Sequence, residues 1–333
     1  MNNPKMHSVK ASPETVVWGN FDNARRPVLS IKSGDIVSME LLTHRAGDAP
    51  EMMDEAVAAV YAAKTEKGLG CHILTGPIRI ESCGPGDVLE CKILDLQPRL
   101  AYGANLTTGN GVLAGDMPDQ HQITIYKICG DTGWAKAEFA YLTDRHPGLP
   151  ADLARKRVPF LQNVRVPVRL HPGIAGVAPL EKGAVDTTLP GIYGGNVDNR
   201  NFTAGTSMYY PVQVEGGLFS AGDSHFALGD GEACGTGIEG HVNAVVQFFV
   251  RKDIVIHNQV LETPTHWIVH AFHADLNEAM RLAVVEAVDF LVANKKLGRL
   301  EAYSLLSVAG DFAVTQAVNG TKGIHGFIRK DMF

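Results

Sequence analysis

From residue 238 to 250 apolar and polar positions alternate: Ile238, Val242, Ala244, Val246, Phe248 and Val250 are interleaved with Glu239, His241, Asn243 and Gln247. A period of two predicts a strand with one buried and one polar face, the polar face starting at Glu239. Upstream, the runs 71–81 and 88–97 flank Cys83-Gly84-Pro85-Gly86-Asp87, and the runs 207–214 and 218–225 flank Glu215-Gly216-Gly217. Both read as β-hairpins closed by Gly- and Pro-containing turns. In the second, Phe219, Ala221, Asp223 and His225 fall on one face. A third hairpin is expected between 312–318 and 321–329, with Asn319-Gly320 as a type I′ turn.

Helical spacing is rarer. Leu276, Ala279, Met280, Ala283, Val284, Ala287 and Leu291 make one stripe within 276–297. Asp275 with Glu278 suits its start, and Lys295, Lys296 and Gly298 suit its end. Shorter helices are expected over 301–308, stopped by Gly310, and over 52–64, where Met52, Ala56, Val60 and Ala63 share a face. Many strands and few helices predict a β-rich α+β fold with sandwich-like sheets. The Pro- and Gly-rich stretch 146–189 reads as loop, either joining two subregions of a single 1–333 domain or forming an ordered wall. Repeats and low-complexity tracts are absent.

With 333 residues and 45% hydrophobic content the chain can bury a large core. Its formal charge of -6 comes from 36 acids and 30 bases scattered along the chain, which gives no basic track for nucleic acid. The most apolar helical stretch, near 279–293, is interrupted by Arg281, Glu286 and Asp289, so no membrane partner is expected. The N-terminus lacks a signal-like apolar segment, and a cytoplasmic location is the expectation. Five cysteines contain no CxxC pair, which argues for mostly buried free thiols; Cys234 is the one candidate nucleophile among them.

Chemistry concentrates in the run 221–239, where Asp223, His225, Asp230, Glu232 and Glu239 stand among Gly222, Gly229, Gly231, Gly235 and Gly237. Ordinary packing does not require that density. Asp223 and His225, two apart in a strand, would present an oxygen and a nitrogen side by side. A companion segment, Tyr193-Gly194-Gly195-Asn196-Val197-Asp198-Asn199-Arg200, repeats the two-apart spacing with Asn196 and Asp198. His72, before Leu74-Thr75-Gly76-Pro77, is the third candidate. Together these segments fit a catalytic metal site with mixed His and carboxylate ligands and an open position, although none is a zinc signature by spacing alone. His44, His121, His146, His171, His266, His270 and His273 stand isolated and read as structural or exposed. Ser224 lacks the Gly-x-Ser-x-Gly context of a hydrolase elbow, and Gly229-Asp230-Gly231 lacks the third glycine of a dinucleotide loop.

In order and spacing, Leu74-Thr75-Gly76-Pro77-Ile78, Gly84-Pro85-Gly86-Asp87-Val88-Leu89, Gly176-Val177-Ala178-Pro179 and Gly194 to Arg200 resemble the acetamidase/formamidase family. So do Pro211-Val212, Gly222-Asp223-Ser224-His225, Gly229-Asp230-Gly231-Glu232, Gly237-Ile238-Glu239, Tyr303 to Ser307 and Gln316 to Gly320. The likeness runs from about residue 72 to the C-terminus, and the first 70 residues are less typical. It implies hydrolysis of a small aliphatic amide to carboxylate and ammonia, in a jelly-roll-like sandwich with a divalent metal, zinc first and calcium or another ion as alternatives. Where family members commonly carry Gln before Gly-Asp-Gly-Glu, this chain has Leu228, which either faces substrate and favours a larger amide or merely packs.

The resulting expectation is a cation held by His72, Asp198, Asp223 and His225, with Glu239, that binds water and polarises the amide carbonyl. Glu232 is the expected general base, and Asn196 orients the substrate. A homodimer or homotetramer is expected. The alternatives are a metal-dependent hydrolase or lyase acting on a carbamate or cyclic amide, and a non-enzymatic ligand-binding sandwich.

Overall fold

The computed structural model describes residues 3–63, 69–107, 111–117, 121–130, 133–143 and 155–333. Residue 64 of the expected 52–64 helix and residues 146–154 of the Pro- and Gly-rich stretch lie outside them. Among the described residues strands dominate: nineteen belong to one curled, largely antiparallel sheet, and two more form a small ribbon. Two of the three α-helices among the described residues lie near the C-terminus, Leu276–Lys295 and Arg299–Ala309. This is the β-rich α+β sandwich-like architecture that the alternating pattern predicts.

The Ile238–Arg251 strand is the spine, pairing with Ile36–Leu41, Val88–Thr107 and Phe219–Ala227. Its inner face buries Val242, Ala244, Val246 and Phe248, and the Phe248 ring meets Phe219 edge-on at 5.1 Å between centroids. Removing one such aromatic from water contributes about 1.5–3 kcal/mol. The polar face is not solvated at its start, because Glu239 and His241 are buried there.

Two of the three expected hairpins are not hairpins. Ile73–Ile80 pairs with Val16–Trp18, Leu29–Ile31 and Phe219–Ala227, whereas Val88–Thr107 pairs with Gln122–Ile128, Ser207–Pro211 and Ile238–Arg251. Ser207–Pro211 likewise pairs with Val88–Thr107 and Val260–Glu262, leaving Phe219–Ala227 to other partners. The reason lies in the turns. Gly216, Gly217 and Leu218 all take left-handed φ (81°, 65° and 53°), which swings the chain out of the sheet where a two-residue turn would keep both strands in plane. The two turns then bond each other, Gly216 N–H donating to Cys83 O at 2.7 Å and Gly86 N–H to Val212 O at 3.3 Å.

The third hairpin forms, Asp311–Gln316 with Lys322–Arg329. Only Gly320 of its Asn-Gly pair has positive φ (71°), so the turn is not type I′. The long helix begins where Asp275 accepts from Glu278 N–H. Its end is set by Lys296 in left-handed conformation (φ 62°), while Gly298 opens the next helix and donates its N–H to Glu301 Oε2. The buried stripe is Ala279, Ala283, Ala287 and Leu291; Leu276 and Met280 turn outward. Small residues four apart let this helix lie close on the His266–His273 and Lys322–Arg329 strands. The N-terminal helix runs Glu55–Ala62, capped by Asp54; of the expected face Val60 is buried, while Ala56 is exposed and Val57 is buried instead. Within the stretch 146–189, His171–Gly176 is a fully buried strand between Gly194–Asn196 and Phe219–Ala227.

Candidate metal and amide site

Sheet pairing gathers the chemistry from distant segments. Register places His171 opposite His225 and Gly222 opposite both Ile174 and Leu74. Asp223 therefore sits between the His171–Gly176 and Ile73–Ile80 strands, and His225 lies opposite Glu239. Gly173 makes this approach possible: a Cβ there would meet Asp223 O at 2.6 Å, His225 Cε1 at 2.6 Å and Asp198 Oδ1 at 2.7 Å.

Three carboxylate-bearing residues hold left-handed backbone, Asp198 (φ 50°), Asp223 (φ 47°) and Glu232 (φ 47°). Residues with side chains adopt this region at a cost, and such strain concentrates at functional sites. At Asp223 it breaks the strand alternation.

Every expected ligand is buried: His72, Asp198, Asp223, His225 and Glu239, together with Glu232. Ligand atoms of Asp198, His225 and Glu232 lie within 4.8 Å of one another, as do those of His44, Asp223 and Glu239, and those of His44, Cys71 and His72. Asp223 stands between the groups. Its Oδ1 is 3.2 Å from His44 Nδ1, and its Oδ2 is 3.8 Å from both His72 Nε2 and His225 Nε2. His225 Nε2 is also 3.0 Å from Glu239 Oε1. Asn319 donates to Asp198 Oδ2 at 2.7 Å; Asp198 Oδ1 and Glu232 Oε2 are buried with no donor group on either, and a hydrogen bond between the two carboxyls requires one of them to hold a proton.

The charges answer one another. Burial alone would raise Asp223, but His72, the His44 hydrogen bond and His225 hold it well below the usual carboxylate range. Against burial, Glu239 and then Asp223 and Asp198 raise His225 to about 9. Burial, followed by the Asp198, Glu239 and Asp223 charges, pushes Glu232 well above an ordinary glutamate. Burial also raises Asp198, although His225 pulls the other way. His171, packed 3.2 Å from His225 Nδ1, is driven down to about 3 by burial and by that neighbour.

Some residues stand differently from their sequence reading. His44 and His171 are part of the cluster and not isolated, and Cys71 lies beside both His44 and His72. Asn319 and Thr43, whose hydroxyl donates to Glu239 Oε2 at 3.2 Å, were not legible as site residues. Asn196 donates to Thr188 O and keeps a buried, unpartnered Oδ1. Leu228 is half-buried with its side chain over Gly237. Cys234 is tied by Asn105 Nδ2 at 3.3 Å and belongs to none of the three ligand groups.

The chain matches the model of the Acetamidase/Formamidase family over residues 14–183 and 180–322. It belongs to that family. It is 30% identical to a formamidase of Methylophilus methylotrophus over 294 residues, 72% of this chain and 70% of that one. An acetamidase of Mycolicibacterium smegmatis is 32% identical over 202 residues, and the chain spans about half of its length (49%). The crystal structure of an acetamidase from Bacillus halodurans superposes with a TM-score of 0.78 at 26% identity, covering 98% of both chains. Among the described residues, no helix is long and apolar enough to cross a membrane.

Proposed function

We propose that the chain hydrolyses a small linear amide to carboxylate and ammonia. The observation that carries this reading is the convergence of Asp198, His225 and Glu232, with Asp198 Oδ1 and Glu232 Oε2 buried and reached by no donor group. Buried polar atoms without partners are costly and are retained where a ligand completes them. The donor set suits a divalent cation, which Asp198, Asp223 and His225 would hold with Glu239 beside them. Mixed nitrogen and oxygen donors favour zinc over calcium, which takes oxygen ligands. When bound, such an ion supplies Lewis acidity toward a carbonyl oxygen and lowers the pKa of water.

The chain's own groups do the rest. Burial and the neighbouring carboxylates favour the protonated form of Glu232, and the positive charge of a cation held beside it would favour the ionised one. In that form Glu232 Oε2 takes a proton from the attacking water as the water oxygen bonds to the carbonyl carbon. The same proton passes to the nitrogen as the C–N bond breaks, and ammonia leaves. Asn319 fixes which oxygen of Asp198 faces the site, and Thr43 does the same for Glu239. Asn196 Oδ1, buried and free of a donor, would accept from a substrate N–H, and Leu228 would supply an apolar edge.

Ammonia release across linear amides, carbamates, ureas and a cyclic amide tests the reading. Turnover is expected on linear amides, falling at least a hundredfold in Glu232→Gln and persisting in Cys234→Ser. A metal-loaded, folded protein inert on the whole panel would favour the ligand-binding alternative, and loss of activity in Cys234→Ser would favour a thiol nucleophile.

A further inference from the structure

We propose that His44, Cys71 and His72 form a second divalent-metal site, with a softer donor set, that shares Asp223 with the carboxylate-rich site. The fold brings His44 and Asp223 to the adjacent pair Cys71 and His72. His44 follows the Ile36–Leu41 strand, Cys71 and His72 precede Ile73–Ile80, and Asp223 arrives on Phe219–Ala227. Asp223 N–H donates to Leu42 O at 2.9 Å, which seats the aspartate beside the His44 segment.

Several observations point to a metal. Two imidazoles and a thiol place ligand atoms within 4.8 Å of one another, and the two rings stand edge to face with centroids 5.0 Å apart. Both histidine side chains are under a tenth exposed. His72 Nδ1 is engaged 3.0 Å from Thr187 Oγ1, which orients the ring and leaves Nε2 toward Asp223, the arrangement usual for ligating histidines. Asp223 offers its two oxygens in two directions, Oδ1 to His44 and Oδ2 to His72 and His225. A carboxylate so placed can serve two ions at once. A nucleophilic cysteine is activated by one base, whereas here two imidazoles flank the Cys71 thiol and Asp223 lies beside both of them. One sulfur and two nitrogens, with an aspartate oxygen as fourth donor, make a set that zinc or cobalt accepts and calcium does not.

This goes beyond the amide-hydrolase reading and stands or falls separately from it, because its readouts are metal content and spectrum. The full-length protein is stripped with chelator and reloaded with cobalt(II), then with zinc, and with calcium as the hard-ion control. About two cobalt ions per chain and a near-ultraviolet thiolate-to-cobalt absorption are expected. In Cys71→Ser that absorption should vanish and the content fall to about one. As a check needing no variant, iodoacetamide labelling of Cys71, read by mass spectrometry, should be suppressed by zinc and unaffected by calcium. A wild-type cobalt form with no thiolate band, or labelling of Cys71 that zinc leaves unchanged, would overturn the proposal even if amides are hydrolysed. A thiolate band in a protein inert on every amide would uphold it while the activity reading fails.

Discussion

Acid should unfold this protein through two histidines that the fold forces to stay neutral. Asn199 Oδ1 accepts from Asn201 N–H and from Asn201 Nδ2, both at 2.9 Å, so its amide nitrogen must face the histidines and donate. That nitrogen lies 2.7 Å from His270 Nε2 and 3.2 Å from His325 Nδ1, and both ring atoms must therefore be unprotonated acceptors. His270 then donates from Nδ1 to Gln259 O at 3.0 Å. Burial holds His270 at about 3. Burial and the nearby Arg200 charge, itself paired with Asp230, hold His325 at about 4.

The folded values lie below the unfolded histidine value of about 6.5, so the unfolded chain binds more protons in that window. The stability that the neutral pair contributes is complete above about pH 6.5 and is lost as pH falls toward the folded values. By pH 5 each histidine removes about 2 kcal/mol, from 1.36 kcal/mol for each of roughly 1.5 pH units. His270→Gln keeps an acceptor for Asn199 and a donor for Gln259 but does not titrate. Urea unfolding of both proteins at pH 7.5 and 5, with chelator present so that metal loss plays no part, should show wild type losing about 2 kcal/mol more than the variant. Equal losses would refute the neutral-histidine assignment.

Gly173→Ala would drive a methyl into Asp223, His225 and Asp198. It should cut kcat/KM about a hundredfold, while Gly115→Ala, with open space around it, leaves activity within twofold. Asp275→Ala removes the acceptor for Glu278 N–H at 2.9 Å and should cost about 1 kcal/mol, seen as a lower melting temperature with unchanged activity.

Legibility in the sequence tracked how local each determinant is. The long helix declares itself through its cap and its period, and Ile238–Arg251 through alternation, because both signals sit within the element. The acid- and glycine-rich run marks the site for the same reason. Pairing partners are another matter: Glu215-Gly216-Gly217 reads as a hairpin turn because composition does not reveal that Gly216, Gly217 and Leu218 go left-handed in succession. His44, Cys71 and Asn319 carried no local signal. His44 meets Asp223, and Asn319 meets Asp198, only after distant parts of the chain come together, and Cys71 gains meaning only once His44 arrives beside it. In the stripe of the long helix Ala279, Ala283, Ala287 and Leu291 are buried as the period predicts, while the larger Leu276 and Met280 at its edge turn outward because the close packing selects small residues.

The left-handed backbone at Asp198, Asp223 and Glu232 sets a hazard for anyone improving this protein. Glycine at Glu232 would relieve about 1 kcal/mol of conformational cost and remove a buried carboxyl that no donor group reaches in one step. A selection that rewards melting temperature alone would therefore drift toward variants that are sturdier and chemically dead. Libraries aimed at thermostability should hold these three positions constant and draw their gains from loops and helix ends instead.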